Sequence, residues 1–185
     1  MTKRLVIIGG SAGSLEVLLQ VIPALKRSES ISIVIVVHRK DFQDSLLLDL
    51  LTSRTKIPMK EIEDKEKLLV GHIYIAPANY HVLFENRDAM SLDYSEKVNF
   101  SRPSIDVTFE SAAEAFGKEA IAILLSGSNS DGAAGLKAIH GGGGISIVQS
   151  PESAVFPYMP EQAMLSGAVD HVFDPMAMVA YINGI

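Results

Sequence analysis

The sequence predicts an α/β fold: a doubly wound, mostly parallel sheet flanked by helices, with an antiparallel hairpin at one edge. Three observations predict it. Apolar runs such as LVIIGG (5–10) and ISIVIVVH (31–38) lack the polar alternation of a half-exposed strand, so both faces should be covered. Stretches of helical periodicity separate these runs. The two kinds of segment alternate along most of the chain, as crossover connections between parallel strands require.

The elements follow in order. The first strand ends in Gly9-Gly10 and leads to residues 14–27, where Leu15, Leu18, Leu19, Ile22 and Leu25 fall at helical spacing. The 31–38 strand is followed by a second helix over 43–53. The mixed-charge run KEIEDKEK (60–67) reads as a solvated loop or strand face. HIYIAP (72–77), HVLFE (81–85) and AMSLDY (89–94) are closely spaced strands. The last two form the antiparallel hairpin around Asn86-Arg87-Asp88. Pro103-Ser104 opens a helix with Ile105, Phe109, Ala112, Ala113 and Phe116 on one face. AIAILLSG (120–127) is a buried strand, followed by a helix over 131–139. Strands at 144–149 and 169–173 precede a terminal helix.

Composition excludes much chemistry. At 185 residues the chain fits one domain, expected over 1–185. It has no cysteine, which removes thiol nucleophiles, redox pairs, iron–sulfur clusters and Cys-ligated zinc. A net charge of −6 argues against nucleic acid or an anionic membrane as partner. The N-terminal apolar run is too short for a signal peptide core or a membrane helix, so a cytoplasmic chain without membrane insertion is expected. No histidine pair has zinc-motif spacing, and no metal is expected.

Open α/β sheets bind ligands beyond the carboxyl ends of their strands. After the first strand comes Gly9-Gly10-Ser11-Ala12-Gly13, a G-x-S-x-G match. That form puts a serine on a tight strand-to-helix turn, with glycines keeping the space around Oγ clear. By itself the motif reads equally as a glycine turn capped by Ser11. The spacing does not fit a dinucleotide loop, and no G-K-[ST] follows. His38 ends the neighbouring strand, and adjacent parallel strands lie about 4.8 Å apart, within side-chain reach. His72, His81, His140 and His171 read as structural or surface residues. Asp131 follows a third buried strand. The acid that orients a catalytic histidine is expected at its Nδ1. Asp41, Asp44 and Asp106 compete for that role, and the helix N-cap is an alternative reading of Asp131.

Several segments, in order, resemble the catalytic domain of CheB-type chemotaxis protein-glutamate methylesterases. They are IIGGSAGS, VVH, GHIYIAPANYH, RPSIDVTFESAA, LLSGSNSDGAAGLKAI and VQSPESAVFPYMPEQA, together spanning roughly residues 4–175. The resemblance implies a Ser-His-Asp triad of Ser11 as nucleophile, His38 as base and Asp131 as orienting acid. It implies oxyanion donors at the backbone of Ala12 and Ser128, and a substrate surface including Arg102, Tyr158 and Met159. It implies a serine esterase acting on glutamate γ-methyl esters of methyl-accepting chemoreceptor helices, with glutamine deamidation by the same route and no cofactor. Ala12, Ser128, Asn129 and Tyr158 depart from the usual family residues, which are a hydroxyl residue, methionine, glycine and glycine. Such domains normally follow a phosphoacceptor receiver. This sequence opens on the first catalytic strand, so phosphorylation control is expected either to come from a separate receiver or kinase protein or to be absent. Two other readings remain: a regulatory, protein-binding module of the same fold, and a small-molecule carboxylesterase.

Overall fold

Seven strands pair in parallel in the order β10-β9-β8-β1-β2-β5-β3 in the computed structural model, which describes residues 3–38 and 44–185. They are β1 (Arg4–Gly10), β2 (Ile31–Val37), β3 (Met59–Glu61), β5 (Ile73–Ile75), β8 (Ala120–Leu124), β9 (Ile145–Gln149) and β10 (His171–Phe173). From β1 the chain builds outward through β2, then returns to the other side of β1 at β8. The strand order therefore reverses around β1, which is where a doubly wound sheet opens a crevice.

Side-chain alternation divides the core. Val6, Ile8, Ile33, Ile35, Val37, Ile121 and Ile123 face α1 (Ser14–Ala24), α2 (Asp44–Thr52) and α6 (Pro175–Gly184). Leu5, Ile7, Val34, Val36, Ala122 and Leu124 face α3 (Ile105–Phe116), α4 (Ala133–Gly141) and α5 (Tyr158–Leu165). Both sets are buried, which is why these strands read as continuous apolar runs.

The hairpin forms in the expected place, with Val82 opposite Leu92 and Leu83 opposite Ser91. Its strands β6 (His81–Phe84) and β7 (Ala89–Asp93) join β4 (Glu66–Lys67) in a small antiparallel sheet of their own. Phe84 and Met90 pack into the same core as α3. The charged run at 60–67 contributes the end of β3 and all of β4, and Lys60 pairs with Glu66 at 2.8 Å.

Several boundaries differ from expectation. The first helix stops at Ala24, because Asn183 of α6 accepts from Lys26 N–H and donates to the Ala24 carbonyl. Its buried face is Val17, Leu18, Val21 and Ile22, and Leu15 is 40 % exposed. The strand expected to 127 ends at Leu124, and the helix expected from 131 starts at Ala133. Gly132 precedes that helix at φ 95°, where a Cβ would also meet Leu124 Cδ1 at 2.5 Å, so only glycine is accommodated. Among the described residues, no helix is long and apolar enough to cross a membrane.

Candidate active site

The carboxyl ends of β1, β2 and β8 meet at the crevice, and each supplies one polar side chain. Ser11 leaves β1 on a turn closed from both sides. Its N–H donates to the Ser126 carbonyl at 2.9 Å, and its carbonyl accepts from Ser14 N–H at 3.0 Å and Ser14 Oγ at 2.6 Å. Gly13 caps α1 at φ 79°, where a Cβ would lie 2.7 Å from Ser126 Oγ. The turn holds Ser11 just ahead of α1, with its Oγ within reach of His38. Ser126 ties this turn to the next loop: its Oγ donates to the Ala12 carbonyl at 2.7 Å and accepts from Phe156 N–H at 2.9 Å.

His38 extends β2, its N–H donating to the Gly10 carbonyl at 3.1 Å. Its ring lies across the end of β1. Ser11 Oγ donates to Nδ1 at 3.1 Å, and Nε2 donates to Asp131 Oδ2 at 2.6 Å. The ring is therefore reversed from expectation, with the acid on Nε2 and the hydroxyl on Nδ1. The cause is topological: Ser11 is on the adjacent strand, near the root of the ring, and Asp131 lies one strand further, where only Nε2 reaches. The proton logic is unchanged. An anion at Nε2 fixes that proton and leaves the Nδ1 lone pair toward the serine.

Asp131 is fully buried. It is not the cap of its own helix; it caps α3. Oδ1 accepts from Ser104 Oγ at 2.9 Å, Asp106 N–H at 3.0 Å and Asn99 Nδ2 at 3.0 Å, and Oδ2 accepts from Ile105 N–H at 2.7 Å as well as from His38. Burial alone would raise its pKa. The hydrogen bonds from His38, Ile105, Asn99 and Asp106 outweigh burial and hold the carboxyl down at about 2.

Asp106 returns the arrangement. Its Oδ1 accepts from Gly132 N–H at 2.9 Å and Gly135 N–H at 2.7 Å, capping α4, and its Oδ2 accepts from Asn99 Nδ2 at 2.8 Å. Each helix thus receives its N-terminal cap from the other's leading carboxylate, and Asn99 bridges the two. Asn99 and Phe100 form a two-residue turn with φ of 51° and 62°, closed by the Val98–Ser101 bridge. Burial pushes Asp106 up to about 6, with the neighbouring Asp131 charge adding to it.

A pH dependence of stability follows. The folded protein holds the Asp106 proton more tightly than an unfolded chain does, whose pKa is 3.8. Ionising Asp106 above about pH 6 therefore costs folding free energy, on the order of 2–3 kcal/mol, and that cost vanishes below about pH 4. Asp131 has the opposite sign: its contribution is complete above 3.8 and is lost toward about pH 2. Urea unfolding from pH 7 down to about 4.5 should show wild type gaining about 1–2 kcal/mol relative to Asp106→Asn. Parallel pH profiles of the two proteins would contradict this.

The remaining sequence-derived candidates fall differently. Ala12 follows Ser11 and Ser128 precedes Asn129, whose Nδ2 lies 3.5 Å from His38 Nδ1, and neither N–H donates in the hydrogen bonds that hold these turns among the described residues. Tyr158 is 48 % exposed at the start of α5. Met159 is not a surface residue: it is fully buried, its side chain packs on Gly127, and its N–H donates to the Gly127 carbonyl at 3.0 Å. Arg102 is half-buried and acts as a clamp, donating to the Ser95 carbonyl at 2.6 Å with its guanidinium 3.9 Å from the Tyr94 ring centre. Of the rival acids, Asp106 supports Asp131 from behind; Asp41 and the side chain of Asp44 lie outside the described residues. His81 is internal, its Nδ1 accepting from Ser104 N–H and its Nε2 donating to the Glu96 carbonyl. Sequence reasoning assigned no site role to Asn99, Ser104 or Ser126, although Ser104 lies in the RPSID segment and Ser126 in the LLSGSNSD segment.

Beside Ser11 and His38 opens a cleft of about 330 Å³ with mostly apolar walls, including Leu15, Leu18, Leu46, Leu47 and Leu50. A hydroxyl line to a buried carboxylate through an imidazole, next to an apolar cleft, is equipped for acyl transfer.

Comparison with known proteins agrees with this fold. The model of the CheB methylesterase family matches residues 6–182. A relative from Leptospira interrogans is 41 % identical over 172 residues, covering 93 % of this chain and 89 % of its own. A Nitrosomonas europaea relative, named protein-glutamate methylesterase/protein-glutamine glutaminase, is 36 % identical over 174 residues; this chain spans 48 % of it. The crystal structure of the Thermotoga maritima CheB methylesterase catalytic domain superposes with a TM-score of 0.94 at 30 % identity, covering 100 % of this chain and 99 % of that one. With its fold and nearly its whole length matched, the chain belongs to the CheB methylesterase family.

Proposed function

We propose that this chain hydrolyses glutamate γ-methyl esters on chemoreceptor proteins, with Ser11 as nucleophile. The observation that carries the reading is the continuous line from Ser11 Oγ through His38 to the buried Asp131. His38 Nδ1 takes the Ser11 proton as Oγ attacks the ester carbonyl. Asp131 stabilises the imidazolium through Nε2–H, and its depressed pKa keeps it anionic throughout. The N–H groups of Ala12 and Ser128, which donate to no group among the described residues, receive the oxyanion, helped by the N-terminal end of α1. Nδ1–H then protonates the departing methoxy oxygen, and methanol leaves. Water, activated by the same nitrogen, hydrolyses the acyl-enzyme to the glutamate carboxylate. Glutamine at the same position would follow this course with ammonia as leaving group.

The test is methanol release from methylated receptor membranes, with a small methyl ester as control. Release from both is the expected result. Hydrolysis of the small ester alone would make the chain a small-molecule carboxylesterase. Release from neither would leave a binding module, and either outcome would overturn the proposal.

A further inference from the structure

We infer that Asn129 sets the leaving-group preference of this site, favouring methyl esters over primary amides. The inference rests on the proposed hydrolysis at Ser11 and concerns which bond it breaks faster. Asn129 Oδ1 accepts from Asp131 N–H at 3.0 Å, which fixes the amide orientation and turns Nδ2 toward His38. Nδ2 lies 3.5 Å from His38 Nδ1. That distance is long because the single Nδ1 lone pair is already taken by Ser11 Oγ–H at 3.1 Å. Among the described residues the Asn129 amide is therefore a donor without a good acceptor, held at the corner where Ser11 Oγ also meets His38 Nδ1.

The leaving atom must occupy that corner, since Nδ1–H has to protonate it. Lone-pair counting then separates the two substrates. In the tetrahedral intermediate of a methyl ester, the methoxy oxygen has two lone pairs. One takes the proton from Nδ1–H and the other accepts from Asn129 Nδ2–H. The C–O bond breaks and methanol departs with the proton. In the intermediate of a glutamine, the nitrogen has two hydrogens and one lone pair. That lone pair takes the proton, the C–N bond breaks and ammonia departs, but nothing remains to accept from Nδ2. A donor instead faces a donor while the leaving group must stay in place. Both routes reach the same acyl-enzyme, so discrimination is confined to acylation and is read in kcat/KM.

The experiment compares kcat/KM for a receptor substrate carrying either the γ-methyl ester or glutamine at one site. It uses wild type, Asn129→Ala and Asn129→Asp. Asn129→Ala removes the donor. Asn129→Asp keeps the acceptor for Asp131 N–H, so the loop stays tied, and replaces the donor by an acceptor. The ester-to-amide ratio should fall roughly tenfold in Asn129→Ala, the scale of one hydrogen bond, and at least as far in Asn129→Asp. Intrinsic ester reactivity cancels, because each ratio is compared with wild type. A ratio within about twofold of wild type in both variants, or a raised one, would overturn the inference. Wild type releasing no methanol would instead overturn the hydrolase reading itself.

Discussion

Asp131→Asn should lower esterase turnover by roughly 10³–10⁴-fold while the chain still folds. The loss has two sources. An asparagine cannot hold the Nε2 proton of His38 against an anion, so the tautomer with its lone pair at Nδ1 is no longer favoured. It also cannot satisfy the surrounding donors. If its amide nitrogen replaces Oδ2, it meets His38 Nε2–H and Ile105 N–H; if it replaces Oδ1, it meets Ser104 Oγ–H, Asp106 N–H and Asn99 Nδ2–H. Either orientation puts a donor among buried donors, at a cost of about 2–3 kcal/mol in stability. Asp131→Ala leaves the same groups without any acceptor and should cost more, about 3–5 kcal/mol. Urea unfolding and methanol-release assays on both variants check the two effects separately. Wild-type turnover in Asp131→Asn would contradict the role of the carboxylate, and wild-type stability in Asp131→Ala would contradict its cap role.

Ser11→Ala is expected to separate activity from stability. Among the described residues the Oγ has one partner, His38 Nδ1, and the turn around it is held by backbone groups and by Ser14 and Ser126. Stability should therefore stay within about 0.5 kcal/mol of wild type. Turnover should fall by about 10³-fold or more. Because serine and histidine act as one unit, Ser11→Ala combined with His38→Ala should be hardly worse than either alone. Additive losses would mean that the two side chains serve separate steps.

The parts of this site that were legible in the sequence are those fixed by strand ends. Ser11, His38 and Asp131 each follow a continuous apolar run, so a parallel sheet brings them to one edge whatever the helices do. Which histidine nitrogen faces which partner was not legible, because it depends on strand order: β2 and β8 flank β1, and the ring must span it. The cap exchange between α3 and α4 was equally hidden. It joins Asp106 to Gly132 and Gly135, and Asp131 to Ile105, across about 25 residues of intervening chain, and no local pattern encodes that pairing. Leu15 and Met159 mark two opposite limits. Helical spacing put Leu15 inward, but the interface rotates toward Val17 and Val21 and leaves Leu15 on the cleft wall. A motif position suggested a surface role for Met159, but tight packing against Gly127 buries it.

The central claim is that Ser11 Oγ forms the acyl-enzyme. A γ-glutamyl aryl ester tests it most directly, because a good leaving group makes acylation faster than deacylation and lets the intermediate accumulate. Rapid mixing should give a burst of aryl alcohol approaching one equivalent per enzyme. Acid quenching and peptide mass analysis should then find the glutamyl adduct on Ser11, with burst and adduct both absent in Ser11→Ala. An adduct on another residue, or an undiminished burst from Ser11→Ala, would contradict the account.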